Sequence, residues 1–201
     1  MILGAIVLAG GQSERMGRPK ADLPWGDGSL LLHVVSVMES CTWPVIVVSR
    51  SEDAELPPLD PETEVVFDTT PGAGPLPAIE TGMRLLHGRA EAAIVVACDM
   101  PFVDNEAVRW LFGQLGEHSA AIPEFDGQLH PLCAIYHLRL QSAIHDLVQG
   151  GERRAQALAE LPGAHRIQES AIRSFRSDGG FLRDIDTEDD YRQALKDAGL
   201  D

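Results

Sequence analysis

Short, continuously apolar runs alternate with helical periodicity along the first 115 residues, and this alternation constrains the fold more than any other feature. Apolar, β-rich stretches at 2–8, 45–49, 65–67 and 93–97 are interleaved with helical patterns at 30–39, 76–86 and 105–115. Strands that are apolar throughout, rather than at every second position, fit a parallel sheet covered on both faces. The expected architecture is a single α/β domain over residues 1–201: a mostly parallel, doubly wound, Rossmann-like sheet with helices on both sides. After residue 115 the pattern loosens. Runs at 120–124 and 132–136 flank Asp126-Gly127, a hairpin-type turn, which predicts an antiparallel excursion joining the sheet. Helical patterns at 140–149 and 154–161 follow, then a strand near 164–167 and a helix over 188–198, for which Thr187 and Asp190 form a natural N-cap. The acidic stretch 51–61, with three prolines, reads as a loop.

In such sheets ligands bind beyond the carboxyl ends of the strands. There the first strand runs into Leu8-Ala9-Gly10-Gly11-Gln12-Ser13-Glu14-Arg15-Met16-Gly17-Arg18-Pro19-Lys20. Glycines let successive backbone N–H groups turn toward an anion and approach it closely. Arg15, Arg18 and Lys20 add three cations, and Lys20 is one of only two lysines in the chain. Amides and cations together suit a triphosphate. The spacing matches neither the Walker loop nor the dinucleotide fingerprint.

Composition narrows the partners. A net charge of −15 argues against nucleic acid, which requires a basic face. It also means that affinity for an anionic substrate must come from local donors and from a metal that cancels charge. No apolar run approaches the ~20 residues of a membrane span, and no signal pattern precedes the first strand. Three widely spaced cysteines, Cys41, Cys98 and Cys133, fit reduced thiols in the cytoplasm better than a disulfide framework or a zinc site. A cytoplasmic small-molecule enzyme is the expected class.

Mg²⁺ prefers carboxylate oxygens and keeps several waters, so one or two Asp residues suffice to hold it on a nucleotide. Asp99, just past the strand at 93–97, is positioned for this; it also suits a plain turn before Met100-Pro101. Asp68 ends another strand. Lys20 fits phosphate as a point charge and Arg15 as a bidentate fork. His130 and His137 bracket the strand at 132–136, either as edge residues or, for His130, as a substrate contact. Arg153 and Arg154 follow Gly150-Gly151 and read equally as phosphate ligands or solvated charge. Nothing marks Cys98 or Cys133 as an activated thiolate.

The loop resembles the signature L-A-G-G-x-S-x-R-M-G-x-x-K of the molybdenum cofactor guanylyltransferases. Val66-Phe67-Asp68 with Gly74-Pro75-Leu76, Cys98-Asp99-Met100-Pro101, His130-Pro131-Leu132, Gly151-Glu152-Arg153-Arg154 and the segment 184–189 fall, in order, where that family carries its further motifs. The resemblance implies a Mg²⁺-dependent transfer of GMP from GTP to molybdenum-bound molybdopterin, with Asp99, Lys20 and Arg15 as catalytic residues and Asp99 as metal ligand. It implies nucleotide contacts from Leu8, Ala9, Gly10, Gly11, Lys20, Ser49, Asp68, Gly74, Pro75, Leu76 and Asp99. The acceptor would meet His130, Arg153, Arg154, Asp184 and Asp186, and cofactor-inserting chaperones would receive the product. Leu8-Ala9-Gly10-Gly11 and Gly74-Pro75-Leu76 are the guanine type. Three departures point toward the cytidylyl relatives or leave the acceptor open: Ser49 where relatives carry Asn, Arg18-Pro19-Lys20 for x-Asp-Lys, and Asp184 and Asp186 where guanylyltransferases typically carry Asn. A CTP-using enzyme and a non-catalytic nucleotide-binding or cofactor-carrier module are the alternatives.

Overall fold

The structure, a computed structural model, describes residues 1–10, 19–50, 56–61, 63–68 and 74–201. Strand β1 (Leu3–Leu8) is followed by a small hairpin, β2 (Pro24–Trp25) and β3 (Gly28–Ser29), and by α1 (Leu30–Glu39). Next come β4 (Val45–Ser49), β5 (Glu64–Phe67), α2 (Pro75–Leu86), β6 (Ala92–Ala97) and α3 (Asn105–Leu115). The second half holds β7 (Ala120–Phe125), β8 (Gln128–Leu129), β9 (Cys133–His137), α4 (Gln141–Gln149), β10 (Ala164–Ile167), α5 (Glu169–Phe175) and α6 (Glu188–Ala198).

The main sheet has the order β10-β7-β9-β6-β1-β4-β5, with β8 paired to β7. Strands β1, β4, β5 and β6 run parallel, as do β7 and β10, whereas β9 is antiparallel to both its neighbours. Alternate strand residues feed two layers, as the period of two in a strand requires. Ala5, Val7 and Val47 pack with Val34 and Met38 of α1 and Leu111 of α3. Ile6, Leu8 and Val48 pack with Ile79 and Met83 of α2 and Ile144 of α4. Gly82 lets α2 lie directly on β1, since a Cβ there would fall 2.6 Å from Ile6 Cγ2. A third, smaller cluster joins Leu23, Trp25 and Leu30 to Ile185, Tyr191 and Ala194, so the last helix is docked on the β2–β3 hairpin.

The chain leaves β1 to build β4 and β5 on one side and returns to place β6 on the other. The switch point therefore lies between β1 and β6, where Leu8 is in register with Ala97.

One expectation is refined and one needs correction. The runs at 120–124 and 132–136 do form an antiparallel pair within the sheet, β7 with β9, but the turn at Asp126 (φ 49°) and Gly127 (φ 73°) closes first on the short β8, and β9 lies between β7 and β6. The pattern at 154–161 is a 3-10 run, Ala155–Glu160, cut short by Pro162-Gly163. Helix α5, seven residues long with Ile172 its one fully buried position, is too short for its apolar residues to mark a period. The α6 cap goes further than expected: Thr187 and Asp190 form a reciprocal capping box with Asp in place of Glu.

Candidate active site

The carboxyl ends of β1, β4, β5 and β6 are laced together. The Cys98 amide donates to Leu8 O (3.0 Å), the Ala9 amide to Val48 O (2.9 Å) and the Asp68 amide to Ser49 O (2.8 Å). Above them opens a cavity of about 580 Å³ whose wall includes Gly10, Lys20, Ser49, Asp68, Gly74 and Asp99. Leu8, Pro75, His130, Asp184 and Asp186 also line it, whereas Leu76 is buried beneath. Gly11 and Arg15 lie outside the described residues, as does Arg18.

Asp99 sits in the turn after β6, held by the Met100 amide donating to Ala97 O (3.2 Å) and by the His33 ring, which donates to Pro101 O (2.9 Å). Because β9 is antiparallel, its start lies at the same end of the sheet. The Ala97 amide donates to Leu132 O (3.0 Å), which brings His130-Pro131 to the cavity. Tyr136, fully buried, donates its hydroxyl to Pro131 O (2.9 Å) and fixes that turn.

Lys20 is the electrostatic centre. Its Nζ donates to Asp99 Oδ2 at 2.8 Å and to Asp186 Oδ1 at 2.7 Å. The Lys20 side chain is only 10% exposed, against 61% for Asp186, so the contact is not an ordinary surface ion pair. Burial alone would lower the Lys20 pKa, but the Asp99 and Asp186 carboxylates outweigh it and hold it above its ordinary value. Partial withdrawal from water, together with Asp186 and then Asp99, raises the Asp184 carboxyl. Burial lowers His130, which favours its neutral form. Burial also pushes up the Cys98 thiol, with Asp99 adding to it, and takes Cys133 to about 12, so both are packing residues and not nucleophiles.

The donor set fits a hard divalent cation. Asp99 and Asp186 each reach one common point, the Lys20 ammonium, and two carboxylates with substrate phosphates and waters are what Mg²⁺ takes. Among the described residues no group of three or more His, Cys, Asp or Glu forms a cage that would hold a metal by itself.

The structure does not bring the two arginines into the cavity wall. Arg153 turns its guanidinium onto Val148 O (2.9 Å) and Glu152 O (2.8 Å), and Arg154 pairs with Glu152 (3.1 Å). What this segment offers the site is backbone. The Leu76 amide donates to Arg153 O (3.2 Å), and a Cβ on Gly74 would lie 2.7 Å from that same oxygen. With φ at +94°, Gly74 also occupies a region that other residues enter only under strain. Gly74→Ala is expected to cost about 1–3 kcal/mol and to weaken nucleotide binding by shifting the start of α2, as thermal melts and nucleotide titration would register. An unchanged melt would show that the backbone has slack here.

Glu152 is pushed down to about 2, chiefly by the Arg154 side chain and by the Arg154 and Arg153 amides. A depressed carboxyl stabilises the fold above its unfolded pKa, and that contribution is lost as the pH falls through the folded value. Glu152→Gln should therefore melt below wild type near neutral pH, with the gap closing as the pH drops through the carboxylate range. A gap independent of pH would remove the charge from the account.

Some lining residues carried no sequence signal: Arg50, Gln128 and Gln156 flank recognisable segments without belonging to a motif. The Lys20–Asp186 contact joins residues 166 apart, beyond the reach of any local pattern.

The strand end at Gly10 and the Lys20–Asp99 centre meet at the switch point of a mostly parallel sheet, an arrangement suited to an enzyme of the nucleotidyltransferase class. The chain belongs to the MobA-like NTP transferase family, whose domain model matches residues 5–167. It is 32% identical over 195 residues to a probable molybdenum cofactor guanylyltransferase of Bacillus mycoides (strain KBAB4), covering 96% of this chain and 95% of that one. A Bacillus thuringiensis (strain Al Hakam) protein of the same description matches equally, at 32% over 195 residues. In fold it is similar to molybdopterin-guanine dinucleotide biosynthesis protein A of Archaeoglobus fulgidus (TM-score 0.79, 23% identity, 98% of each chain). It is also similar to 2-C-methyl-D-erythritol 4-phosphate cytidylyltransferase of Thermus thermophilus (TM-score 0.67, 19% identity, 97% of this chain and 98% of that one). No helix among the described residues is long and apolar enough to cross a membrane.

Proposed function

We propose that this nucleotidyltransferase moves GMP from GTP to the terminal phosphate of molybdenum-bound molybdopterin, releasing pyrophosphate. The observation that carries the reading is the meeting of Gly10, Gly74-Pro75, Lys20 and Asp99 around one cavity at the switch point. An oxygen of the acceptor phosphate forms the new bond to the α-phosphorus as the bond to the β,γ-pyrophosphate breaks. The attacking oxygen is already anionic, so no protein nucleophile is required. The chain's task is to position two anions and neutralise charge. Lys20 supplies a cation for the leaving phosphates, Gly10 lets the backbone approach them, and Gly74-Pro75 at the start of α2 leaves room for a purine. His130, Asp184 and Asp186 face the acceptor side. Mg²⁺, held by Asp99 with Asp186 beside it, would neutralise phosphate charge. The names of the Bacillus relatives support the choice of guanine and of this acceptor, and chaperones that insert the cofactor are the partners this role implies.

Transfer from CTP to the same acceptor is the second reading, favoured by Pro19-Lys20 and by the Asp184/Asp186 pair. Incubation with Mg²⁺, molybdenum-loaded molybdopterin and equimolar GTP and CTP, read by mass spectrometry, separates them. A guanine dinucleotide is expected. A cytosine dinucleotide would transfer the assignment to the second reading, and nucleotide binding with no product would leave a carrier module.

A further inference from the structure

The ion-paired centre described above works against loading by a metal. Asp99 Oδ2 and Asp186 Oδ1 both accept from one ammonium, at 2.8 and 2.7 Å, and it neutralises the charge that would draw a cation. A divalent ion held by Asp99 would lie close to that ammonium, and the two positive charges would repel. Moving Lys20 off Asp99 would relieve that repulsion, and an incoming anion is what can draw an ammonium away. Within this cavity the anion of matching chemistry is a polyphosphate.

The contact is built in from both sides. Lys20 opens the short 3-10 turn Lys20–Asp22, and the hairpin that follows shares the third hydrophobic cluster with Ile185 and Tyr191. The Ile185 amide donates to Asp99 O (3.0 Å), and the Tyr191 hydroxyl donates to Pro24 O (2.6 Å). Thr187, next to Asp186, is pinned by the capping box of α6. Asp186 is therefore fixed on either side, although its carboxylate reaches water.

We infer that Lys20 is the site's own counter-ion, that Asp186 is the positioning residue that keeps it on Asp99, and that a divalent cation consequently reaches Asp99 only together with a nucleotide. The inference rests on the nucleotidyltransferase reading and adds an order of loading to it. In a chain of net charge −15, bare carboxylates at the centre would collect stray cations, and the ammonium prevents this. By linkage, whatever nucleotide binding contributes to metal affinity, metal contributes equally to nucleotide affinity.

Two measurements test it. Mn²⁺ titration followed by electron paramagnetic resonance should show weak uptake by the wild-type protein alone. Lys20→Met should raise that nucleotide-free affinity by about tenfold or more, and adding Asp99→Asn to it should abolish the gain. An affinity for Mn²⁺ alone that Lys20→Met leaves unchanged would overturn the inference. The second measurement uses the wild-type fold. With only Lys20 and Lys196 in the chain, ¹⁵N-lysine NMR resolves the two ammonium groups. The Lys20 signal should stay put with Mg²⁺ alone and move when GTP is added, and in Asp186→Asn it should broaden through exchange with water while Asp184→Asn leaves it sharp. Displacement by Mg²⁺ alone overturns the order of loading, yet dinucleotide formation would still support the functional reading. A Lys20 signal that no nucleoside triphosphate moves overturns both.

Discussion

Asp99→Asn is expected to leave a folded protein whose turnover falls by about three orders of magnitude, equal to the several kcal/mol that metal-type charge neutralisation supplies to a phosphoryl transition state. The substitution keeps the side chain's size, and Lys20 retains Asp186 as a partner at 2.7 Å, so neither packing nor the lysine's charge compensation collapses. The backbone of the turn stays as well, because the Asp99 carbonyl still accepts from the Ile185 amide. Only a carboxylate at the centre is lost. Pyrophosphate release under saturating nucleotide measures the effect, with a thermal melt as the control. Near-normal turnover would remove Asp99 from the centre of the reaction and leave it as the turn residue its sequence context also permits.

Ile185→Ala is the second large effect, and it reaches the same centre through packing. Ile185 is fully buried among Leu23, Trp25, Leu30, Tyr191 and Ala194, and it lies between Asp184 and Asp186. Truncating a buried isoleucine leaves a cavity and costs about 3 kcal/mol, which in a chain of this size lowers Tm by roughly 6–12 °C. Turnover should fall well below the melting range too, because both carboxylates move when the strut between them is cut. Ile172→Ala on α5 is the matched control: Ile172 is as buried, but it packs in the cluster behind the sheet and does not line the cavity. Equal losses of activity in the two variants would mean that Ile185 acts through global stability alone.

The local elements were legible in the sequence wherever one residue's environment depends on neighbours a turn or a strand away. The helices at 30–39 and 105–115 and the strand at 45–49 fall where their periodicity places them, since a stripe of apolar residues fixes both length and face. The antiparallel pairing of β9 with β7 was legible, but its place beside β6 was not. Its apolar run looks like that of any buried strand, and Asp126-Gly127 announces a hairpin without saying which strand closes it. Tertiary pairing with β6 decided the matter. At the site, the cations and carboxylates could be named from their motifs, but their pairing could not, because Lys20 and Asp186 meet only after the sheet and α6 are in place. Likewise the segments around Gly74 and Arg153 are separate glycine-containing runs in the chain, and in space they are one close contact between a carbonyl and an absent side chain.

The docking of α6 on the β2–β3 hairpin separates the scaffold from its competence. Neither layer flanking the sheet takes a buried residue from α6, whereas the lysine's second carboxylate is held in place by the small cluster around Ile185, across a loop of 166 residues. Closing so long a loop comes late in folding, and a cluster of six buried residues is the kind of unit that opens before the whole. Amide exchange should accordingly be faster in α6 than in β1 and β6, so that a chain passing every test of being folded still flickers in and out of readiness to react.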